Sequence, residues 1–230
     1  MAKGAAKRLS SKRVTRAAPA AKPAASAPKA RAKKATPERT VTVHETKRVF
    51  DGFFKIDEAI VSYSKVAGKG MVQNVKRLVF ERGDSAAALL HNIDRDTVVL
   101  TEQFRFPTYA KGPGWLLEPM AGSVAPNEEP AACIRREMME ELGYRAGAIK
   151  EIATFYVSPG GTSERIILFY APVRDSDLVD PDASGVAAEN EDIKRVEVKR
   201  KAFVEGCLAG RYQDAKLLIA GLWLAARHKK

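Results

Sequence analysis

Cysteine is nearly absent: the 230 residues hold only Cys133 and Cys207, far apart and in no metal or redox spacing. A disulfide framework is thereby excluded, and a reducing compartment, the cytoplasm, is the simpler expectation. Histidine is equally scarce. His44, His91 and His228 are scattered along the chain, which argues against a zinc site. Long apolar runs are missing too: the longest, Ile166–Val173 and Leu217–Ala226, fall far short of the ~20 residues that a membrane span needs. A soluble protein without a membrane partner is expected.

The first 40 residues lack aromatic side chains altogether and hold a single acid, Glu38, against twelve Lys and Arg. Their net charge of +11 equals that of the whole chain, so residues 41–230, with 27 basic and 27 acidic residues, are neutral. A segment of Ala, Lys, Arg and Pro cannot bury enough apolar area to offset its ordering entropy. Residues 1–40 are therefore expected to be a disordered tail. As a solubilising extension it needs no ligand; as a polycationic arm it would contact nucleic acid nonspecifically through counterion release. A basic transit peptide is a third reading, disfavoured by the prolines and the lack of apolar bulk.

What remains is an ordinary globular composition, 45% hydrophobic, enough for one domain with an extension or two small ones. Val41–His44, Phe53–Tyr63 and Val72–Phe80 alternate or are β-branched and read as strands, ended by the turn Arg82–Asp84. Ala86–His91 and Thr97–Gln103 flank a polar turn and predict a hairpin. Trp115–Met120, Ile149–Tyr156, Ile166–Val173 and Ile193–Val198 read as further strands. Glu129–Leu142, Arg200–Ala209 and Asp214–Arg227 read as helices, and Asp175–Gly185 as a polar loop. Strands and helices interleave without a strict βαβ repeat, which predicts an α/β or α+β fold with a mixed sheet. The expected division is a tail over 1–40, a small β subdomain over 41–82 and a main domain over 83–228.

The chemistry concentrates in Gly122–Tyr144. Pro130 suits the first turn of a helix and Gly143 its exit. Ile134, Met138 and Leu142 recur at i, i+4, i+8 and form a stripe to bury. Glu137, Glu140 and Glu141 share the neighbouring face, with Arg136 one turn before Glu140. Like charges ~5 Å apart repel by roughly 3 kcal/mol per pair at an effective dielectric of ~20. A partly buried cluster of this kind calls for protons or a hard cation, and oxygen ligands favour Mg²⁺ or Mn²⁺. Magnesium so held commonly serves phosphate chemistry.

Gly122, Glu128, Arg136, Glu137, Glu140, Glu141 and Gly143 stand at the fixed positions of the Nudix signature, and the chain resembles the Nudix hydrolases. Tyr144 departs mildly from the aliphatic residue commoner at the last position. The resemblance implies an α/β/α sandwich and metal binding by Glu137, Glu141 and the carbonyl of Ala121, with Glu140 binding or bridging through water. Pro159, fifteen residues beyond the signature, resembles the mark of ADP-ribose pyrophosphatases, as do Glu102–Arg105, Trp115–Glu118 and Glu189–Ile193. By that likeness Glu189 is the candidate general base and Glu191 a further metal ligand; Glu164, the alternative base, more often contacts substrate there. Glu189 and Glu191, two apart, would point the same way on an extended backbone. Arg105, Ser123, Ser158, Pro159, Gly160 and Lys216 are implied substrate contacts. The subfamily's intertwined homodimers further imply that Phe53, Arg77 and Arg82 reach the partner chain's substrate.

ADP-ribose, cleaved to AMP and ribose 5-phosphate, is slightly favoured by Thr162–Arg165 and Glu189–Glu191. Asp214–Lys216 leans the other way, because GDP-mannose pyrophosphatases, which cleave their substrate to GMP and mannose 1-phosphate, resemble it in carrying a lysine there. Apart from that likeness, Lys216 reads as an exposed helix residue. Two further readings are a catalytically silent Nudix-like sensor tethered to nucleic acid by its tail, and a hydrolase of capped RNA or a dinucleotide cofactor. The Pro159 loop speaks against the last.

Overall fold

The computed structural model describes residues 39–186 and 190–227. The basic tail as far as Glu38, and Glu189, lie outside them. From Arg39 onward the chain forms one compact unit, in which two sheets can be told apart.

The first sheet is antiparallel, in the order β1 (Val41–Asp51), β2 (Lys55–Ser64), β3 (Met71–Glu81). β1 runs beyond the expected His44, because Glu45 to Asp51 go on pairing with Ile60 to Lys55. It is exposed along its whole length. Gly83, with φ +75, turns the chain out of β3 into the second sheet. A left-handed backbone of that kind costs glycine little.

The second sheet opens with the expected hairpin, β4 (Ser85–Asn92) and β5 (Thr97–Phe104). Its strand order is β10 (Lys194–Lys199), β5, β4, β9 (Arg165–Val173), β8 (Lys150–Tyr156), with β4 and β9 parallel and the other pairs antiparallel. The mixed sheet is thus as expected. Trp115–Met120, read as one strand, is two: β6 (Trp115–Glu118) pairs with β5 and β7 (Met120–Ser123) with β4. The break falls at Pro119, which has no amide hydrogen to give to a ladder. A single helical turn, α1 (Phe106–Tyr109), with Pro107 near its start, was not foreseen.

Helices cover both faces of this sheet. α2 (Pro130–Leu142) lies on one, α3 (Arg200–Leu208) and α4 (Ala215–Arg227) on the other. β4 shows why its sequence is a continuous apolar run instead of an alternation. Ala86, Ala88 and Leu90 face α2, while Ala87 and Leu89 face α3 and α4. Ile134, Met138 and Leu142, the predicted stripe, are wholly buried against that sheet. Burying each such side chain contributes roughly 1.5–3 kcal/mol, which fixes the rotation of α2 and hence the direction of its glutamates. No helix among the described residues is long and apolar enough to cross a membrane.

Candidate active site

α2 starts at Pro130 without a side-chain cap and ends at Gly143, φ +70, where the amides of Gly143 and Tyr144 close on the carbonyls of Met139 and Met138. Ahead of the helix, Glu128 accepts a hydrogen bond from the Ala125 amide at 2.9 Å and pairs with Arg136 at 3.4 Å, which ties the entering loop to the helix. Arg136 is a hub. Its Nη1 also donates to Glu137 at 2.7 Å and to Glu140 at 3.1 Å.

The three glutamates part company in burial. Glu140 is partly exposed, Glu137 is 8% exposed and Glu141 only 2%. Glu141 Oε2 is buried with no hydrogen-bond partner among the described residues. Burial, reinforced by the charges of Glu137 and Glu191, pushes the Glu141 carboxyl up to about 9, Arg105 pulling the other way. The Glu137 carboxyl is raised as well, by burial working against Arg136. Two buried carboxyls resisting ionisation, one of them with an unpaired oxygen, fit a divalent cation bound by oxygen. Among the described residues no three acids converge on one ligating point; like charges hold apart, and Arg136 already engages Glu137 and Glu140.

These side chains border a cleft of about 790 Å³. Ala121, Gly122 and Ser123 of β7 form part of its wall, with Glu137, Glu140 and Glu141 from α2 and Glu191 from the loop before β10. Gly122 presses against Glu137 so closely that a Cβ would overlap the carboxylate, which accounts for the first glycine of the signature. The Glu191 loop is stitched to the end of α2. Val179 and Asp180 amides donate to the Gly143 carbonyl, the Gly185 amide to that of Glu140, and Arg195 spans Leu142 and Pro181 carbonyls at 3.1 and 3.0 Å. Glu191 itself accepts from the Val186 amide at 2.9 Å. Asn190 has φ +57, so the backbone before Glu191 is a turn and not the extended stretch expected.

Cations and rings line the cleft as well. Phe53, 94% exposed, and Phe54 come from the β1–β2 turn, their rings 4.8 Å apart, and Phe54 rests on Phe80 at 5.0 Å. Arg82 lines the same chain's cleft and pairs with Glu164 at 3.5 Å; Glu164 also accepts from Ser85 at 2.8 Å. Arg77 lies elsewhere, bonded to Tyr63 and to the Lys76 carbonyl. Ser158, Pro159 and Gly160 are exposed and are not among the lining residues. Their loop is instead held to β3, with the Phe80 amide donating to Gly161 and Ser163 Oγ to Glu81 at 2.6 Å.

Lys216 overturns the bland reading of an exposed helix position: its side chain is 14% exposed and faces the cleft. It donates to Glu118 at 3.0 Å and Asp214 at 2.6 Å, while Arg105 donates to Glu118 at 2.7 Å. Glu118 and Asp214 carried no expected role. Both lie inside segments whose likeness to a family is visible in sequence, but they meet only through Lys216, whose bond to Glu118 joins residues 98 apart.

Residues 81–205 match the family model described as NUDIX domain. The chain is 35% identical over 192 residues to a GDP-mannose pyrophosphatase of Salmonella arizonae, spanning 83% of this chain and 97% of that one. It is 34% identical, with the same coverage, to the GDP-mannose pyrophosphatase of Salmonella typhimurium. Over 190 residues it is 34% identical to that of Escherichia coli O1:K1, covering 82% and 96%.

Proposed function

The chain belongs to the Nudix family of hydrolases acting on phosphorus-containing anhydrides, and from that premise we propose that it splits GDP-mannose into GMP and mannose 1-phosphate with Mg²⁺. The observation that carries this choice over ADP-ribose is Lys216, half-buried in the cleft wall and joined to Arg105 through Glu118. The relatives' names support it.

Ala121 carbonyl, Glu137, Glu141 and Glu191 would hold the Mg²⁺, or Mn²⁺ in its place. Bound there, the ion supplies countercharge to the diphosphate and lowers the pKa of water. Arg105 has a planar fork suited to two phosphate oxygens. Phe53, backed by Phe54 and Phe80, offers a face for the base. Glu189 takes the proton as water forms its bond to phosphorus and the bridging P–O bond breaks. Glu164 serves less well as base, because Ser85 and Arg82 already engage its carboxylate. Val41, Val43, Val49 and Phe50 leave the first sheet with exposed apolar side chains, a face that a second copy would cover; Phe53 would then serve the partner's cleft.

The test is hydrolysis of GDP-mannose, ADP-ribose, ADP-glucose and NADH by the purified protein with Mg²⁺, read by product chromatography. GMP with mannose 1-phosphate as the fastest products is expected. Preferential release of AMP from ADP-ribose would transfer the assignment to that substrate, and no hydrolysis of any sugar nucleotide would reject it.

A further inference from the structure

Glu118 ends β6 at the floor of the cleft and is 5% exposed. Its two oxygens go to two different cations, Oε2 to Arg105 Nε and Oε1 to Lys216 Nζ. The cations arrive from distant places, Arg105 from just past β5 and Lys216 from the first turn of α4. Asp214 completes the group. It caps α4 by accepting from the Leu217 amide at 2.8 Å and gives its other oxygen to Lys216. Two positive and two negative charges sum to zero, the condition under which burial of any of them is tolerable.

The donor inventory is what gives Glu118 a role. It uses only the Nε of Arg105, whose guanidinium has no other hydrogen-bond partner among the described residues. Both terminal nitrogens stay available for a pair of phosphate oxygens. Lys216 spends two of its three protons on Glu118 and Asp214 and keeps one. We propose that Glu118 is a positioning residue: one buried carboxylate that aligns Arg105 and Lys216 side by side and leaves their outward donors for the substrate's diphosphate. This rests on the pyrophosphatase reading.

A carboxylate that merely sat near the cleft would repel an anionic substrate, so neutralising it would improve binding. A positioning role has the opposite sign. E118Q is expected to lower kcat/KM for GDP-mannose roughly thirty-fold, the loss of a charge-assisted bond. In a double-mutant cycle with K216M, the double variant should lose at least about five-fold less than the product of the single losses. E118D keeps the charge, and with it the charge balance of the fold, but is too short to reach both cations; a loss of about ten-fold or more is expected. Unchanged or improved kcat/KM in E118Q, full activity in E118D, or strictly multiplicative losses would each overturn the role of Glu118 alone. If the unsubstituted protein binds GDP without turnover, the same cycle is read on GDP affinity by calorimetry. Neither turnover of any sugar nucleotide nor GDP binding would reject the pyrophosphatase reading and this inference together.

Discussion

Gly122 of β7 lies so tightly against Glu137 of α2 that a methyl group in place of its hydrogen would overlap the glutamate Oε1. The glycine is there for closeness, not for an unusual backbone. G122A should therefore displace a carboxylate proposed to hold the metal while the sheet survives. Overpacking of this kind costs about 1–3 kcal/mol, and kcat should fall by at least about ten-fold with a raised Mg²⁺ requirement. Wild-type kcat and an unchanged Mg²⁺ titration would show that Glu137 has more room than the packing allows.

Glu141 gives a pH signature. An unfolded glutamate titrates near ~4.3, whereas the folded carboxyl stands at about 9. Between those values the native chain keeps a proton that the unfolded chain has lost. The stability this group contributes is complete below the lower value and is lost as pH rises through the upper one. In EDTA the melting temperature should thus decline between about pH 5 and 9. E141Q should flatten that decline while cutting turnover by orders of magnitude, and excess Mg²⁺ should lift the wild type at the alkaline end. Parallel curves for wild type and E141Q would place the orphan oxygen in water.

Phe53 is the clearest reporter of which chain serves which cleft. Stacking on a base contributes about 1–3 kcal/mol, so F53A should raise KM for GDP-mannose roughly five- to hundred-fold. Mixing F53A with E141Q distinguishes the arrangements. If Phe53 serves the partner, a mixed dimer regains one intact site and activity reappears on mixing; if it serves its own chain, the mixture stays as poor as its parts.

The tail should be dispensable for chemistry. Deleting residues 1–38 is expected to leave kcat/KM for GDP-mannose within about two-fold, since the deletion removes +10 of the chain's +11 charge and touches no cleft residue. The full chain is expected to bind duplex DNA with an affinity that falls steeply with salt, and that binding should vanish with the tail. DNA binding that persists after deletion would locate the contact on the body.

How much could be read beforehand follows from contact distance along the chain. α2 was legible because everything that defines it is local: Pro130, the four-residue spacing of Ile134, Met138 and Leu142, and Gly143. The apolar continuity of Trp115–Met120 suggests one strand, but the missing amide of Pro119 decides the break between β6 and β7. The burial of Lys216 was not legible, since its partner Glu118 lies 98 residues away. The same holds for Arg195 gripping Leu142 and for Ser163 meeting Glu81, 82 residues apart. The left-handed Asn190 before Glu191 is a turn that period-two reasoning could not anticipate.

The bridge from Phe80 to Thr162 and the Ser163–Glu81 bond make the Pro159 loop an annex of the first sheet, while the oxygen ligands proposed for the metal belong to α2, β7 and the Glu191 loop. The Pro159 loop and the groups proposed to grip the ion thus hang from separate stretches of polypeptide. A change of register or length in β3 would carry the loop with it and leave the ion's cradle where it stands.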